Sequence, residues 1–304
     1  MTNALQDLEQ TLQQRIGEVV LGVSPAVRAL CIAVVARGHV LVQGVPGLGK
    51  TLLSKSLAGA LGGSFKRVQG TSDLMPTDIT GTHLFDAAKN AFVFRPGPLF
   101  ADVVLFDEVN RAGPRTQSAL LEAMEERQVT LDGESMALPE PFFVIATQNP
   151  QDQVGTFPLP ESQLDRFLMR VHLGYPAPAA ERELLSGVDR RDLVNALGTV
   201  ISPDDLHQLQ QAVLDVHVAP PLLDYVQALV AHTRRAPGLN AGLSPRAAIG
   251  LLRAARAWAL IAKRNAVIPE HIQAVFAAVV EHRVRQRNSD PASVSRLLEA
   301  VPVP

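Results

Sequence analysis

Cysteine is nearly absent from this chain of 304 residues, which contains only Cys31. A single cysteine forms no intramolecular disulfide and no thiolate metal cluster, so the sequence favours a reducing compartment. The chain also lacks an excess of either charge, because it has 28 Lys and Arg residues and 30 Asp and Glu residues. Only two tyrosines and one tryptophan are present for base stacking. The composition therefore argues against a nucleic-acid partner.

Long apolar runs are missing as well. The longest one, over 29–41, is interrupted by Arg37 and His39 and is shorter than the ~20 residues that cross a bilayer. The first residues lack the basic and apolar segments of a signal peptide. Because 47% of the residues are hydrophobic, the chain can bury a sizeable core. We expect a cytoplasmic protein without a membrane segment.

The first 174 residues alternate between helix-like and strand-like patterns. Helical spacing predicts helices over 4–18, 24–36, 50–61 and 116–126, and apolar runs predict strands over 39–43, 65–69, 103–106 and 142–146. This alternation is typical of an α/β domain with a parallel sheet sandwiched by helices. Two further segment pairs, 82–86 with 90–94 and 128–131 with 135–138, predict hairpins, the second around Asp132-Gly133.

Only helical patterns follow the linker over 174–178. Predicted helices over 203–214, 220–232, 245–262 and 269–284 each open near a proline. The sequence therefore predicts two domains, an α/β domain over 1–174 and an all-helical domain over 175–304.

The segment Gly44–Thr51 matches the phosphate-loop pattern G-x-x-x-x-G-K-[ST] in full. Its glycines let backbone N–H groups point at phosphate oxygens at the start of a helix. Lys50 is expected to reach the β- and γ-phosphates, and the Thr51 hydroxyl to bind Mg²⁺. The candidate ATP contacts of this segment are Val45, Pro46, Gly47, Leu48, Gly49, Lys50, Thr51 and Leu52.

Two acids, Asp107 and Glu108, directly follow the apolar run over 103–106. The carboxyl end of a buried strand is where α/β proteins bind ligands. Asp107 is expected to hold Mg²⁺, and Glu108 to act as general base on the water that attacks the γ-phosphate.

Three further polar residues are candidates with ordinary structural alternatives. Asn149 follows the strand over 142–146 and is suited to orienting water, although Asn-Pro is also a common turn. Arg166 is either a surface residue or a finger inserted into a neighbouring subunit's nucleotide site. Arg246 lies in the first turn of a helix, where the dipole disfavours a cation, so it is either a surface residue or the partner of an anion such as a γ-phosphate.

Together with the phosphate loop, several segments resemble those of the AAA+ ATPases, in particular the MoxR family, over about residues 18–260. They are 104–108 (VLFDE), 107–112 (DEVNRA), 146–150 (ATQNP), 164–167 (LDRF) and 243–246 (LSPR). The resemblance implies that Lys50 and Thr51 are Walker A residues, Asp107 and Glu108 Walker B residues, Asn149 sensor 1, Arg166 an arginine finger acting in trans and Arg246 sensor 2 on a lid. It also implies that Val20, Leu21 and Gly22 contact the adenine.

The same resemblance implies a magnesium-dependent ATPase that works as a ring, most simply a hexamer. Its function would be that of a remodelling chaperone, which matures or activates a protein client that often carries a von Willebrand factor A domain. Two alternatives stay open at this point. One is a nucleic-acid motor, and the other is a nucleotide-switched scaffold that turns over little ATP.

Overall fold

The computed structural model of the protein describes residues 8–149, 154–186, 190–236, 239–286 and 292–303. The helices are α1 (Leu8–Val19), α2 (Ser24–Val35), α3 (Lys50–Ala60), α4 (Pro76–Thr80), α5 (Pro114–Glu126), α6 (Glu161–Leu164), α7 (Pro178–Ser186), α8 (Arg190–Ala196), α9 (Pro203–Asp215), α10 (Pro220–Arg235), α11 (Pro245–Ile261), α12 (Pro269–Val280) and α13 (Ala292–Glu299). The strands are β1 (Val40–Gln43), β2 (Phe65–Gln69), β3 (Gly81–Asp86), β4 (Ala91–Pro96), β5 (Val103–Asp107), β6 (Gln128–Leu131), β7 (Glu134–Ala137), β8 (Phe143–Gln148), β9 (Met169–His172), β10 (Leu239–Ala241) and β11 (Arg285–Gln286). Residues 4–7 of the predicted first helix lie outside the described residues. None of the described helices is long and apolar enough to span a membrane.

Five parallel strands form the central sheet, in the order β2-β5-β8-β1-β9. The inner strands β1, β5 and β8 come from apolar runs that are almost entirely buried, as predicted. Because the strands are parallel, the segments that follow them emerge at one edge of the sheet. The phosphate loop, the acidic pair and Asn149 follow these three strands, so the topology brings them together.

Helices cover both faces of this sheet. Successive side chains of a strand point to opposite faces, and β5 shows the consequence. Val103 and Leu105 join the core beneath α1, α2 and α3, whereas Val104 and Phe106 join the core beneath α5. The predicted parallel sheet sandwiched by helices is therefore confirmed.

Strand β9 was missed by the sequence analysis. Among the described strands it pairs with β1 alone, at the edge of the sheet. Its buried residues Met169 and Val171 alternate with Arg170 and His172, which are more exposed. An edge strand of four residues with two basic side chains lacks the apolar run that marks an inner strand.

Both predicted hairpins are confirmed, since β3 pairs antiparallel with β4 and β6 with β7. At the second turn Asp132 and Gly133 have φ values of 52° and 85°, as a type I′ turn requires. His83 Nδ1 lies 3.0 Å from Asp132 Oδ2 and joins the two hairpins. Phe85 and Phe92 form an edge-to-face pair on the first hairpin, yet remain 57% and 72% exposed.

The carboxyl-terminal part is mainly helical, and α9 to α12 begin at the prolines that the sequence marked. The hydroxyl oxygen of Ser202 caps α9 by accepting the Asp205 N–H at 3.1 Å, and that of Ser244 caps α11 by accepting the Ala247 N–H at 3.0 Å. The structure adds α7 and α8 before these helices, and a small antiparallel pair of β10 with β11 among them. Strands of three and two residues are too short to leave a period in the sequence.

The carboxyl-terminal helices share the core of one sheet face. Helix α11 packs against α2 and α9, and α12 packs against β9. The Ser244 hydroxyl donates to Asp165 Oδ2 at 2.8 Å, which fixes the start of α11 beside the amino end of β9. One hydrophobic core contains residues from both sides of the predicted boundary between residues 174 and 175. The division into two domains at that point therefore stays a prediction.

Candidate active site

The phosphate loop connects β1 to α3 and has the backbone shape that its glycines allow. Gly47 and Gly49 have φ values of 86° and 77°, in the left-handed region that other residues adopt only with strain. Gly49 caps α3, so the unpaired N–H groups of the first helical turn border the loop. The Lys50 ammonium donates to the Gly44 carbonyl at 2.8 Å and is held over the loop. Burial lowers the pKa of Lys50, and the nearby carboxylates of Asp107 and Glu108 oppose that shift.

Asp107 ends β5 and is buried, with both carboxylate oxygens engaged. Oδ1 accepts the hydroxyl of Thr147 at 2.5 Å, and Oδ2 accepts Arg67 Nη2 at 2.7 Å. Thr147 comes from β8 and Arg67 from β2, the two strands that flank β5. The neighbouring strands therefore fix the orientation of this carboxylate.

Glu108 follows in a left-handed conformation with φ 55°, which turns the chain sharply after β5. Its N–H donates to the Thr147 hydroxyl at 2.9 Å, and its Oε2 accepts Gln69 Nε2 and Arg111 Nη1, each at 3.2 Å. The Glu108 carboxylate is thus drawn toward β2 and Arg111 in this structure. Close packing accompanies the turn, because a Cβ on Gly70 would lie 2.2 Å from the Glu108 carbonyl oxygen.

Arg67, Gln69 and Thr147 are site residues that the sequence pattern did not reveal. Gln69 lies opposite Asp107 in the register of β2 and β5, and Arg67 projects on the same face two residues earlier. These contacts depend on which strands are neighbours, and about 40 residues separate the partners along the chain. The only signal was the position of two polar side chains, at alternate residues, at the end of a predicted strand.

Two adjoining cavities flank the phosphate loop. One has a volume of about 620 Å³ and is lined mainly by apolar groups, including the predicted base contacts Val20, Leu21 and Gly22. The other has a volume of about 900 Å³ and is lined by Lys50, Thr51, Asp107, Glu108 and Arg67, among others. Pro46, Gly47, Gly49 and Leu52 line both cavities, and Leu48 lines the apolar one. An apolar cavity that continues into a cationic one has the shape and polarity of a site for a base with attached phosphates.

Helix α7 and helix α8 contribute to these walls, which the sequence analysis did not anticipate. Leu184 of α7 lines both cavities, and Arg190 of α8 lines the one with the charged groups. Arg190 donates to the Glu18 carbonyl at 2.6 Å and to Glu183 at 2.7 Å, which ties α8 to α1.

Asn149, which is buried, follows β8 and emerges between the phosphate loop and the acids.

Arg166 and Arg246 lie together, but not at this edge of the sheet. Both line a cavity of about 470 Å³ at the amino ends of the strands, where Gly38 precedes β1 and Leu168 precedes β9. Arg246 Nη2 donates to Glu125 Oε2 at 2.6 Å, and Arg166 Nε lies 3.4 Å from the same oxygen. A cation in the first turn of a helix is expected to need an anionic partner, and the partner of Arg246 is Glu125 of the same chain. The structure does not bring Arg246 to the chain's own phosphate loop, because α11 begins beside the amino end of β9.

A parallel sheet with a phosphate loop after one inner strand and two acids after the next, followed by a helical domain, defines a P-loop ATPase of the AAA class. A family model described as ATPase family associated with various cellular activities (AAA) matches residues 39–169, and one described as AAA lid domain matches residues 231–301. The chain is 39% identical to Chaperone MoxR1 of Mycobacterium tuberculosis over 97% of this chain and 82% of that protein. It is 44% identical to the uncharacterized protein YeaC of Bacillus subtilis over 89% of this chain and 85% of that protein.

A solved structure supports the same assignment to the AAA ATPases. The crystal structure of a candidate ATPase from Cytophaga hutchinsonii superposes with a TM-score of 0.89 at 34% identity, covering 99% of this chain and 96% of that one. The chain belongs to the MoxR family of AAA+ ATPases.

Proposed function

We propose that the protein hydrolyses ATP in a magnesium-dependent reaction and uses the turnover to mature or activate a protein client. The observation that carries the ATPase proposal is the convergence of Lys50, Thr51, Asp107 and Glu108 on one cavity beside an apolar one. Those residues supply a cradle for phosphates, oxygen ligands for a metal and a carboxylate base within one edge of the sheet.

The residues present fit a magnesium ion. The Thr51 hydroxyl and the Asp107 carboxylate are hard oxygen ligands that line the same cavity, and Asp107 now accepts a cation, Arg67, at 2.7 Å. Mg²⁺ bound there would neutralise charge on the phosphate oxygens. Lys50 holds the phosphates, Glu108 takes the proton of the attacking water, and Asn149 orients that water. Glu108 first has to leave Gln69 and Arg111.

The positions of Arg166 and Arg246 support a ring of identical subunits. Both arginines lie at the amino ends of the strands, whereas Lys50 lies at their carboxyl ends, so neither serves the nucleotide of its own chain. We infer that both act in trans on the triphosphate of a neighbouring subunit, most simply in a hexamer. An arginine finger offsets the charge of the transition state and is worth ~10³–10⁵ in rate.

The chaperone part of the proposal rests on the relative named Chaperone MoxR1 and on the two hairpins. Phe85 and Phe92 leave an apolar surface exposed on the first hairpin, and such surfaces are typical of protein contacts. We expect the client to be a protein, and clients of this family often carry a von Willebrand factor A domain. We expect the compartment to be the cytoplasm.

A mixing experiment tests the ring. Arg166→Ala subunits and Glu108→Gln subunits are each expected to be inactive, and their mixture should regain part of the ATPase activity. Activity returns because some interfaces then pair an intact Glu108 with an intact Arg166 of the neighbour. Arg246→Ala should complement Glu108→Gln in the same way. A mixture that stays inactive, together with a monomer in light scattering with ATP, would remove the trans assignment.

A further inference from the structure

One carboxylate oxygen of Glu125 contacts both arginines that we assign to the neighbouring subunit's nucleotide. Its Oε2 lies 2.6 Å from Arg246 Nη2 and 3.4 Å from Arg166 Nε. The Glu125 side chain is 33% exposed, and those of Arg166 and Arg246 are 32% and 44% exposed. The three groups therefore form a cluster that another molecule can reach.

The charge around this cluster is strongly unbalanced. Of the described residues that line the cavity, six are arginines, Arg37, Arg127, Arg166, Arg246, Arg253 and Arg283, and two are carboxylates, Glu125 and Asp165. Asp165 is already engaged, because its Oδ1 accepts Arg283 Nε at 2.6 Å and its Oδ2 accepts the Ser244 hydroxyl. Among the residues that the structure describes, Glu125 is thus the carboxylate that holds Arg166 and Arg246 next to each other.

Glu125 leaves most donors of the two arginines available. Nε is the Arg166 atom nearest the carboxylate, at 3.4 Å, and the two Nη groups of Arg166 donate to no described residue; Arg246 donates to Glu125 through a single Nη group. Among the described residues, Glu125 is the one hydrogen-bond partner of the Arg246 side chain, and the Arg166 side chain makes only the ion pair with Glu125. An arginine can bind phosphate with such a pair of Nη donors.

The helix that carries Glu125 is firmly anchored. Leu121 and Met124 of α5 are buried in the core, and the Met124 carbonyl lies 3.1 Å from Nε2 of the buried His39. A carboxylate on so rigid an element can set the position of flexible arginine side chains.

We propose that Glu125 is a positioning residue that holds Arg166 and Arg246 as one pair, presented to the triphosphate bound by the neighbouring subunit. This inference rests on the proposed trans function of the two arginines. Without the carboxylate, the two like charges repel each other within an already cationic cavity. Both then lose the placement that catalysis requires, although neither is altered.

The test is the hydrolysis rate of Glu125→Gln, alone and in mixtures. Alone, the variant should hydrolyse ATP about 10–100-fold more slowly, as expected when catalytic groups are misplaced, while its affinity for ATP stays within about twofold of the wild type. Mixed with Glu108→Gln it should regain activity, because its defect lies on the arginine side of each interface. Mixed with Arg166→Ala it should not, because both variants then fail on the same side.

Glu122→Gln is the matched control, since Glu122 lies one turn earlier on α5, is exposed and has no partner among the described residues. It should keep the wild-type rate. Glu125→Asp keeps the charge and should restore part of the activity, which a purely structural role of the side chain would not predict.

Three outcomes overturn the proposal. A Glu125→Gln rate equal to or above that of the wild type would show that the carboxylate does not position the pair. Recovery with Arg166→Ala but not with Glu108→Gln would assign Glu125 to its own chain's site. If Arg166→Ala and Glu108→Gln fail to complement each other, the trans function itself fails and this inference fails with it.

Discussion

Replacing Arg67 with Gln is expected to tighten Mg²⁺ binding in the presence of ATP. Arg67 Nη2 contacts Asp107 Oδ2 at 2.7 Å, so a guanidinium now occupies one oxygen of the carboxylate that we assign to the metal. Because the Arg67 side chain is 47% exposed, the ion pair contributes ~0.5–1 kcal/mol rather than the ~1.5–3 kcal/mol of a buried charged hydrogen bond. Removing this competitor should lower the Kd for Mg²⁺ about 2–5-fold.

Calorimetric titration of Mg²⁺ into ATP-loaded protein measures this change, and the Glu108→Gln background prevents turnover during the titration. Lys66→Gln is the matched control, because it removes the same charge from the opposite face of β2. It should leave the Kd unchanged. An Arg67→Gln protein that binds Mg²⁺ equally well or more weakly would refute the competition between this guanidinium and the metal.

Two further predictions concern backbone packing and pH. Gly70→Ala places a Cβ 2.2 Å from the Glu108 carbonyl oxygen, so it should cost ~1–3 kcal/mol of unfolding free energy and slow ATP hydrolysis. Chemical denaturation measures the first effect and phosphate release the second. Unchanged values would mean that the turn at Glu108 is loosely packed. Burial lowers the pKa of His39 from its ordinary 6.5 to about 3, so the unfolded chain binds the proton first and stability falls as the pH drops below 6.5. From pH 7 to 5.5 this histidine should remove ~1.3 kcal/mol of unfolding free energy, so the stability of His39→Gln should fall by about that much less over the same interval. An equal pH dependence in both proteins would contradict a neutral His39.

The residues of the phosphate loop and the acidic pair could be predicted because each group is contiguous in the chain and its chemistry requires a short fixed spacing. Gly44–Thr51 and Asp107-Glu108 each follow an apolar run that forms an inner strand. The hairpin around Asp132 and Gly133 was predictable for the same reason, since two adjacent residues specify its turn.

Contacts between distant segments could not be predicted in this way. Arg67 meets Asp107 because β2 and β5 are neighbours, and nothing in either segment alone specifies that pairing. The place of Arg246 depends on how α11 packs against α2. From its helix position the sequence indicated that Arg246 needs an anion, yet only the tertiary structure identifies Glu125 as that anion.

The central claim is that Glu108 is the base of an ATP-hydrolysing site, and one comparison tests it most directly. Phosphate release at saturating ATP and Mg²⁺ is measured for the wild type and for Glu108→Gln, together with the ATP affinity of each protein. The amide keeps the shape of the side chain but removes the base, so turnover should fall by ~10²–10⁴ while the affinity is retained. Hydrolysis by Glu108→Gln at the wild-type rate would contradict the account.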